Sequence, residues 1–118
     1  MKNLIVITGG AGFVGSSLIR YFLKKTSYKI LSIDNYSTGS KLNHIKSKRI
    51  KYLKGHTKNI EALIKKYKKN INCIFHFGEF SRIYQSFAKL DECIDFNTVG
   101  SNAVFNFCMK NNIKLIYS

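Results

Sequence analysis

Leu4-Ile5-Val6-Ile7-Thr8-Gly9-Gly10-Ala11-Gly12-Phe13-Val14-Gly15 is the stretch from which the rest of the chain is read. Leu4 to Ile7 is a continuous apolar run, rich in β-branched residues, closed by a glycine-rich turn. That is the pattern of a strand buried on both faces of a parallel sheet, and this strand is expected to be the central one. From Phe13 to Lys25, the residues Val14, Leu18, Tyr21 and Phe22 recur at helical spacing. Lys24 and Lys25 stand where a helix C-terminus favours positive charge. The opening therefore predicts strand, tight turn and helix in immediate succession.

Working outward, Lys29 to Asp34 reads as a second strand ending in an acid, followed by the turn-rich Asn35-Tyr36-Ser37-Thr38-Gly39-Ser40. A short third strand is expected over Ile50 to Leu53. Thr57 is placed to cap a helix carrying Ile60, Leu63, Ile64 and Tyr67 on one face, with four lysines at its end. Asn72 to Phe77 makes a fourth strand, Asp91 to Asn111 a helix, and Ile113 to Tyr117 a fifth strand. This alternation implies right-handed βαβ units in one α/β domain, a doubly wound parallel sheet of Rossmann type with about five strands. Such a sheet normally continues past a strand ending at Tyr117, so residues 1–118 are expected to be the truncated N-terminal portion of a longer protein, without a substrate domain.

Composition limits the alternatives. A length of 118 residues with 45% hydrophobic content suits one soluble domain. The run Leu4 to Ile7 is too short for a secretory h-region or a membrane span, and a cytoplasmic protein without membrane contact is expected. Cys73, Cys93 and Cys108 are odd in number and form no C-x-x-C pair, so they suggest buried apolar fillers rather than a disulfide framework or a zinc site. The formal charge is +14, and eleven of the twenty basic residues fall between Lys41 and Lys69, where Glu61 is the only acid. Either a phosphate-rich partner or a solvated lysine-rich face would account for this. The bases lack the interleaved aromatics of a single-strand binder, which favours the solvated face over a nucleic-acid partner.

The chemistry sits in the opening turn. Missing side chains at Gly9, Gly12 and Gly15 permit a tight turn, close approach of a pyrophosphate, and helix-to-strand packing. The helix N-terminus then offers free N–H groups and a partial positive charge to the phosphates. Asp34 follows Gly15 by 19 residues at the end of the second strand, where a carboxylate can accept both hydroxyls of an adenine ribose and would repel a 2′-phosphate. That favours NAD over NADP. The alternative for Asp34 is a solvent-facing turn residue.

Thr8-Gly9-Gly10-Ala11-Gly12-Phe13-Val14-Gly15-Ser16 resembles the G-x-x-G-x-x-G turn of extended short-chain dehydrogenases/reductases of the NAD-dependent epimerase/dehydratase family. Asp34-Asn35-Tyr36-Ser37-Thr38-Gly39 resembles the adenosine-ribose loop of its UDP-glucose 4-epimerase-like branch. Ile74-Phe75-His76-Phe77-Gly78, Asn97-x-x-Gly100-Ser101 and Leu115-Ile116-Tyr117-Ser118 resemble its later landmarks. The resemblance implies NAD contacts at Phe13, Val14, Asn35, Ser37, Thr38 and Gly39 besides the three glycines and Asp34. It implies further contacts along His56-Thr57 and Phe77-Gly78-Glu79, and at Asn97 and Ser118. It also implies a nucleotide-sugar substrate and a homodimer for the full-length enzyme. Asn97, read alone, falls on the inward stripe of its helix with Ile94, Ser101, Val104 and Cys108; the alternative to a cofactor contact is a core amide satisfied by backbone groups.

Three departures from the family pattern stand out. Gly55-His56 replaces the usual Gly-Asp whose acid meets the adenine amine. Glu79 replaces a small residue, and either bonds substrate or ribose or pairs with Arg82. The family's Tyr-x-x-x-Lys catalytic pair is expected beyond Ser118, which matches only the first serine of the catalytic cluster, so no catalytic residue is assigned. His76, at a strand end, is read as structural. The leading expectation is the NAD-binding portion of an epimerase or dehydratase; the others are a non-catalytic dinucleotide module or truncated product, and a basic nucleic-acid-binding domain.

Overall fold

The opening strand β1 (Leu4–Thr8) is buried along its whole length because its alternate residues serve two cores. In a computed structural model describing residues 2–36, 40–77 and 99–117, Ile5 and Ile7 pack beneath helix α1 (Phe13–Lys25) with Ile19, Ile30 and Cys73. Leu4 and Val6 face the opposite layer, formed by α2 (Ile60–Ile64) and α3 (Ser101–Lys110), with Ile60, Ile64, Val104, Phe107 and Cys108.

The strands β2 (Lys29–Asp34), β3 (Ile50–Lys54), β4 (Ile71–His76) and β5 (Lys114–Tyr117) complete a five-stranded sheet in the order β3-β2-β1-β4-β5. Every pairing is parallel, and Val6 lies between Leu31 of β2 and Ile74 of β4. The fold is the expected Rossmann-type doubly wound sheet. Because the chain runs outward from β1 in one direction and restarts on its other side at β4, a crevice opens beyond the carboxyl ends of these two strands.

Local details differ from the sequence reading. The inward face of α1 is Gly15, Ser16 and Ile19, while Val14 and Tyr21 are 58% and 56% exposed. The first turn of α1 must press against the glycine loop, which admits only small residues there; of the expected stripe, Leu18 and Phe22 pack half-buried against the core beneath α1, while Val14 and Tyr21 face outward. The segment expected as one helix from Thr57 is a 3-10 turn (Thr57–Asn59), the α-helical turn α2 and a second 3-10 turn (Lys65–Tyr67). Its cap is His56, whose side chain accepts from the Lys58 N–H, and not Thr57. β4 begins one residue earlier and ends one earlier than the alternation suggests, and β5 begins at Lys114.

Ten lysines between Lys41 and Lys69 are exposed, as expected of a solvated face. Arg49 is different. Its guanidinium donates to the carbonyls of Leu23, Thr26 and Tyr28, closing the C-terminal end of α1, where carbonyls lack intrahelical partners. Cys73 and Cys108 are buried free thiols. Among the described residues no helix is long and apolar enough to cross a membrane.

Candidate functional site

The turn after β1 is built by its glycines. Gly9 has φ 76°, a left-handed conformation that side chains resist, and its N–H donates to the Ile33 carbonyl at 2.7 Å. A Cβ at Gly15 would lie 2.2 Å from the Gly9 oxygen and 2.8 Å from the Gly10 Cα, so glycine there is demanded by the fold. Gly10, which sequence reasoning passed over, is equally constrained: its Cβ would lie 1.9 Å from the buried Ser32 Oγ. Gly12 is not. It has ordinary extended angles, φ −83° and ψ 179°, and among the described residues its Cβ would meet one atom, the Gly9 oxygen at 3.3 Å.

Gly12 also heads α1, and no side chain caps that N-terminus nor does any acid stand in the first turn. The first N–H groups of a helix have no intrahelical acceptor, so this end presents donors and a partial positive charge. Phe13 and Val14 beside it are 80% and 58% exposed.

Asp34, at the end of β2, faces the same turn. Its Oδ2 accepts from the Ala11 N–H at 3.0 Å and its Oδ1 from the Tyr36 N–H at 2.8 Å. A carboxylate offers about four acceptor positions, so each oxygen retains capacity for a further donor. Asn35 beside it is half-buried.

Beyond Asp34 lies a set of contacts that the sequence did not reveal. The Ala11 carbonyl accepts from the Ser40 N–H at 3.1 Å and the Asn43 Nδ2 at 2.8 Å. Tyr36 has φ 64°; its Oη shares a 2.6 Å hydrogen bond with His44 Nε2, and the His44 ring stacks on Tyr52 at 3.7 Å. Burial, with the neighbouring Asp34 charge, raises the Tyr36 phenol above its usual value. Asn43 and His44 carry no motif, which is why only their placement identifies them.

On the other side of the crevice, His76 is fully buried. Its Nδ1 lies 2.6 Å from Thr8 Oγ1 and its Nε2 2.9 Å from Ser101 Oγ. With both nitrogens engaged, it ties β1, β4 and α3 together, in keeping with a structural histidine. The Phe77 N–H donates to Thr8 Oγ1 at 2.9 Å, which leaves Phe77 half-buried at the end of β4.

His56 and Thr57 follow β3, on the Asp34 side, where Gly55 N–H donates to the Asp34 carbonyl at 3.0 Å. The cap to Lys58 occupies one imidazole nitrogen of His56. Thr57 is 3% exposed, and its Oγ1 has no hydrogen-bond partner among the described residues. Ser37, Thr38, Gly39, Gly78, Glu79, Asn97 and Ser118 lie outside the described residues, as do Arg82 and Cys93.

A Tyr-x-x-x-Lys spacing does occur once in the chain, at Tyr21 and Lys25. Both are exposed and sit in the second half of α1, with Tyr21 about 12 Å along the helix axis from Phe13. The spacing there is that of a solvent-facing helix and not of a crevice residue pair.

The comparisons agree with this architecture. The dTDP-D-glucose 4,6-dehydratase of Dictyostelium discoideum is 29% identical over 116 residues, which cover 93% of this chain and 27% of that one. An epimerase from Methanothermobacter thermautotrophicus superposes with a TM-score of 0.86 at 23% identity, over 98% of this chain and 34% of the other, and shows the fold. The UDP-glucose 4-epimerase of Bifidobacterium longum, solved with NAD+ and UDP, matches with a TM-score of 0.81 at 27% identity, over 98% of this chain and 36% of that one. The chain thus spans about a quarter to a third of the length of these relatives. The model of the NAD dependent epimerase/dehydratase family matches residues 5–118, and with the doubly wound sheet and its glycine turn this places the chain in that family.

Proposed function

We propose that residues 1–118 are the N-terminal portion of the NAD-binding domain of a nucleotide-sugar epimerase or dehydratase. The observation that carries the reading is Gly12. Gly9, Gly10 and Gly15 are accounted for by the chain's own backbone and packing, whereas a side chain at Gly12 would project beside an uncapped helix N-terminus and, among the described residues, meet one atom. A missing Cβ there suits the approach of a pyrophosphate to the N–H groups of Phe13, Val14 and Gly15.

The rest of the donor set fits the same group. Asp34, fixed by the Ala11 and Tyr36 amides, retains acceptor capacity for ribose hydroxyls, and its charge disfavours the 2′-phosphate of NADP. Asn35, His56 and Thr57 would flank the adenosine half. Phe77 at the end of β4 would border the other half. Ser37, Thr38, Gly39, Gly78, Glu79, Asn97 and Ser118 are proposed contacts from motif resemblance.

Bound in this crevice, NAD supplies a hydride acceptor for a sugar carbon. The residues of this chain would bind and orient it: Asp34 by accepting hydrogen bonds from ribose hydroxyls, the α1 N-terminus by donating to phosphate, and the buried His76 by holding β1, β4 and α3 in register. None of the described residues is assigned proton transfer or sugar recognition. A nucleotide-sugar substrate, a homodimer and a cytoplasmic location are proposed for the whole enzyme.

Calorimetric titration tests the reading. Saturable binding of NAD, at least tenfold tighter than NADP and abolished in Gly12→Val, is expected; tenfold corresponds to about 1.4 kcal/mol. Equal affinity for both dinucleotides, or binding unaffected by Gly12→Val, would count against it.

A further inference from the structure

We infer that Tyr36 and His44 are positioning residues that hold the Asp34 carboxylate in its cofactor-binding orientation. The inference rests on the proposed NAD site. Asp34 is held from two directions, by the Ala11 N–H on Oδ2 and the Tyr36 N–H on Oδ1. The second closes a tight turn whose following residue, Tyr36, itself adopts φ 64°. A non-glycine residue pays strain in this region and keeps the conformation only where other contacts over-determine it.

Those contacts are present. The Tyr36 phenol and His44 Nε2 are 2.6 Å apart, and the His44 ring lies 3.7 Å above Tyr52, nearly parallel at 9°. Tyr52 in turn is fixed on β3, and its Oη accepts from the Ile45 N–H at 2.9 Å. His44 follows Asn43, whose amide donates to the Ala11 carbonyl, so the same short segment grips Tyr36 on one side and the glycine turn on the other. The stack from Tyr52 through His44 to Tyr36 therefore ends on the Asp34 carboxylate, and the Asn43 contact ends on the residue that donates to its other oxygen. A rigid strand is connected to both hydrogen bonds that orient one acid.

The test uses the chain with NAD and with ADP-ribose, which retains the adenosine half. Tyr36→Phe removes only the hydroxyl, His44→Leu removes its imidazole partner while keeping bulk against Tyr52, and His44→Gln restores a partner for the phenol. Titration well below each variant's melting temperature should show Tyr36→Phe and His44→Leu weakening both ligands about fivefold. The double variant should be no weaker than either single one, because the two share one interaction. His44→Gln should recover most of the loss, and amide exchange of Tyr36 should quicken several-fold in His44→Leu. Unaltered affinity and exchange in both single variants, with the unaltered chain binding NAD, would overturn the positioning role alone. Failure of the unaltered chain to bind NAD would overturn the functional reading and this inference with it.

Discussion

Alanine at Gly12 and alanine at Gly15 should separate the needs of the ligand from those of the fold. At Gly15 the new methyl would stand 2.2 Å from the Gly9 oxygen, 2.8 Å from the Gly10 Cα and 2.9 Å from the Gly9 carbonyl carbon, all backbone atoms. Overpacking of this kind costs about 3 kcal/mol, offset by about 1 kcal/mol of improved helix propensity. A net loss of about 2 kcal/mol would lower the melting temperature by roughly 8 °C or more. At Gly12 the methyl meets a single oxygen at 3.3 Å with permitted backbone angles. There the cost is that of a poorer N-cap, about 0.5 kcal/mol, or roughly 2–4 °C. Binding should run the other way for Gly12→Ala: near-native melting with NAD affinity reduced at least tenfold, as the methyl would stand where the proposed site receives a phosphate. Paired thermal melts and calorimetric titrations make the comparison. Equal destabilisation by the two substitutions, or native NAD affinity in Gly12→Ala, would refute the reasoning.

Thr57→Val should raise stability by about 1 kcal/mol, because it removes a buried hydroxyl that has no partner among the described residues, at nearly constant shape; a lower urea midpoint would contradict this. Arg49→Met should cost about 2–3 kcal/mol through loss of the bonds to three carbonyls, whereas Lys65→Met should change stability by under about 0.5 kcal/mol. Burial pushes the Cys108 thiol up to about 11 from its ordinary 9. Between these values the unfolded chain loses the proton first, so the folded state binds more protons and stability falls as pH rises. Tyr36, also raised, acts in the same direction at higher pH. Urea titrations at pH 8, 9.5 and 10.5 should show this decline, and a shallower one in Cys108→Ala; identical slopes would exclude the thiol as its source.

The fold was legible because its signals are local and strong. Leu4 to Ile7, apolar without interruption, can be buried on two faces only between two helical layers, and the glycine turn beside it marks the switch point. The phase of α1 was legible only in part: Leu18 and Phe22 of the expected stripe pack inward, but Val14 and Tyr21, which fit it by spacing alone, face outward. The close packing of Gly15 on Gly9 and Gly10 sets the face that turns inward at the start of the helix. Thr57 reads as a cap by residue type, but His56 reaches the Lys58 amide first and leaves the threonine buried. In the site, Asp34 and the glycines announce themselves by type and spacing. Ala11, Asn43, His44 and Tyr52 act through backbone groups, ring stacking and a three-dimensional approach that no periodicity records.

The basic surface offers any phosphate-rich ligand a second place to settle, because the exposed lysines from Lys41 to Lys69 form a field that attracts anions regardless of shape. Amide chemical-shift mapping on the 15N-labelled chain during NAD titration therefore tests the central claim most directly. The account predicts saturable shifts concentrated at Gly9 to Gly15, Asp34 and Tyr36, with Lys65 to Lys69 and Lys110 unmoved. Shifts confined to the lysine face, fading as salt is raised while the glycine turn stays silent, would contradict it.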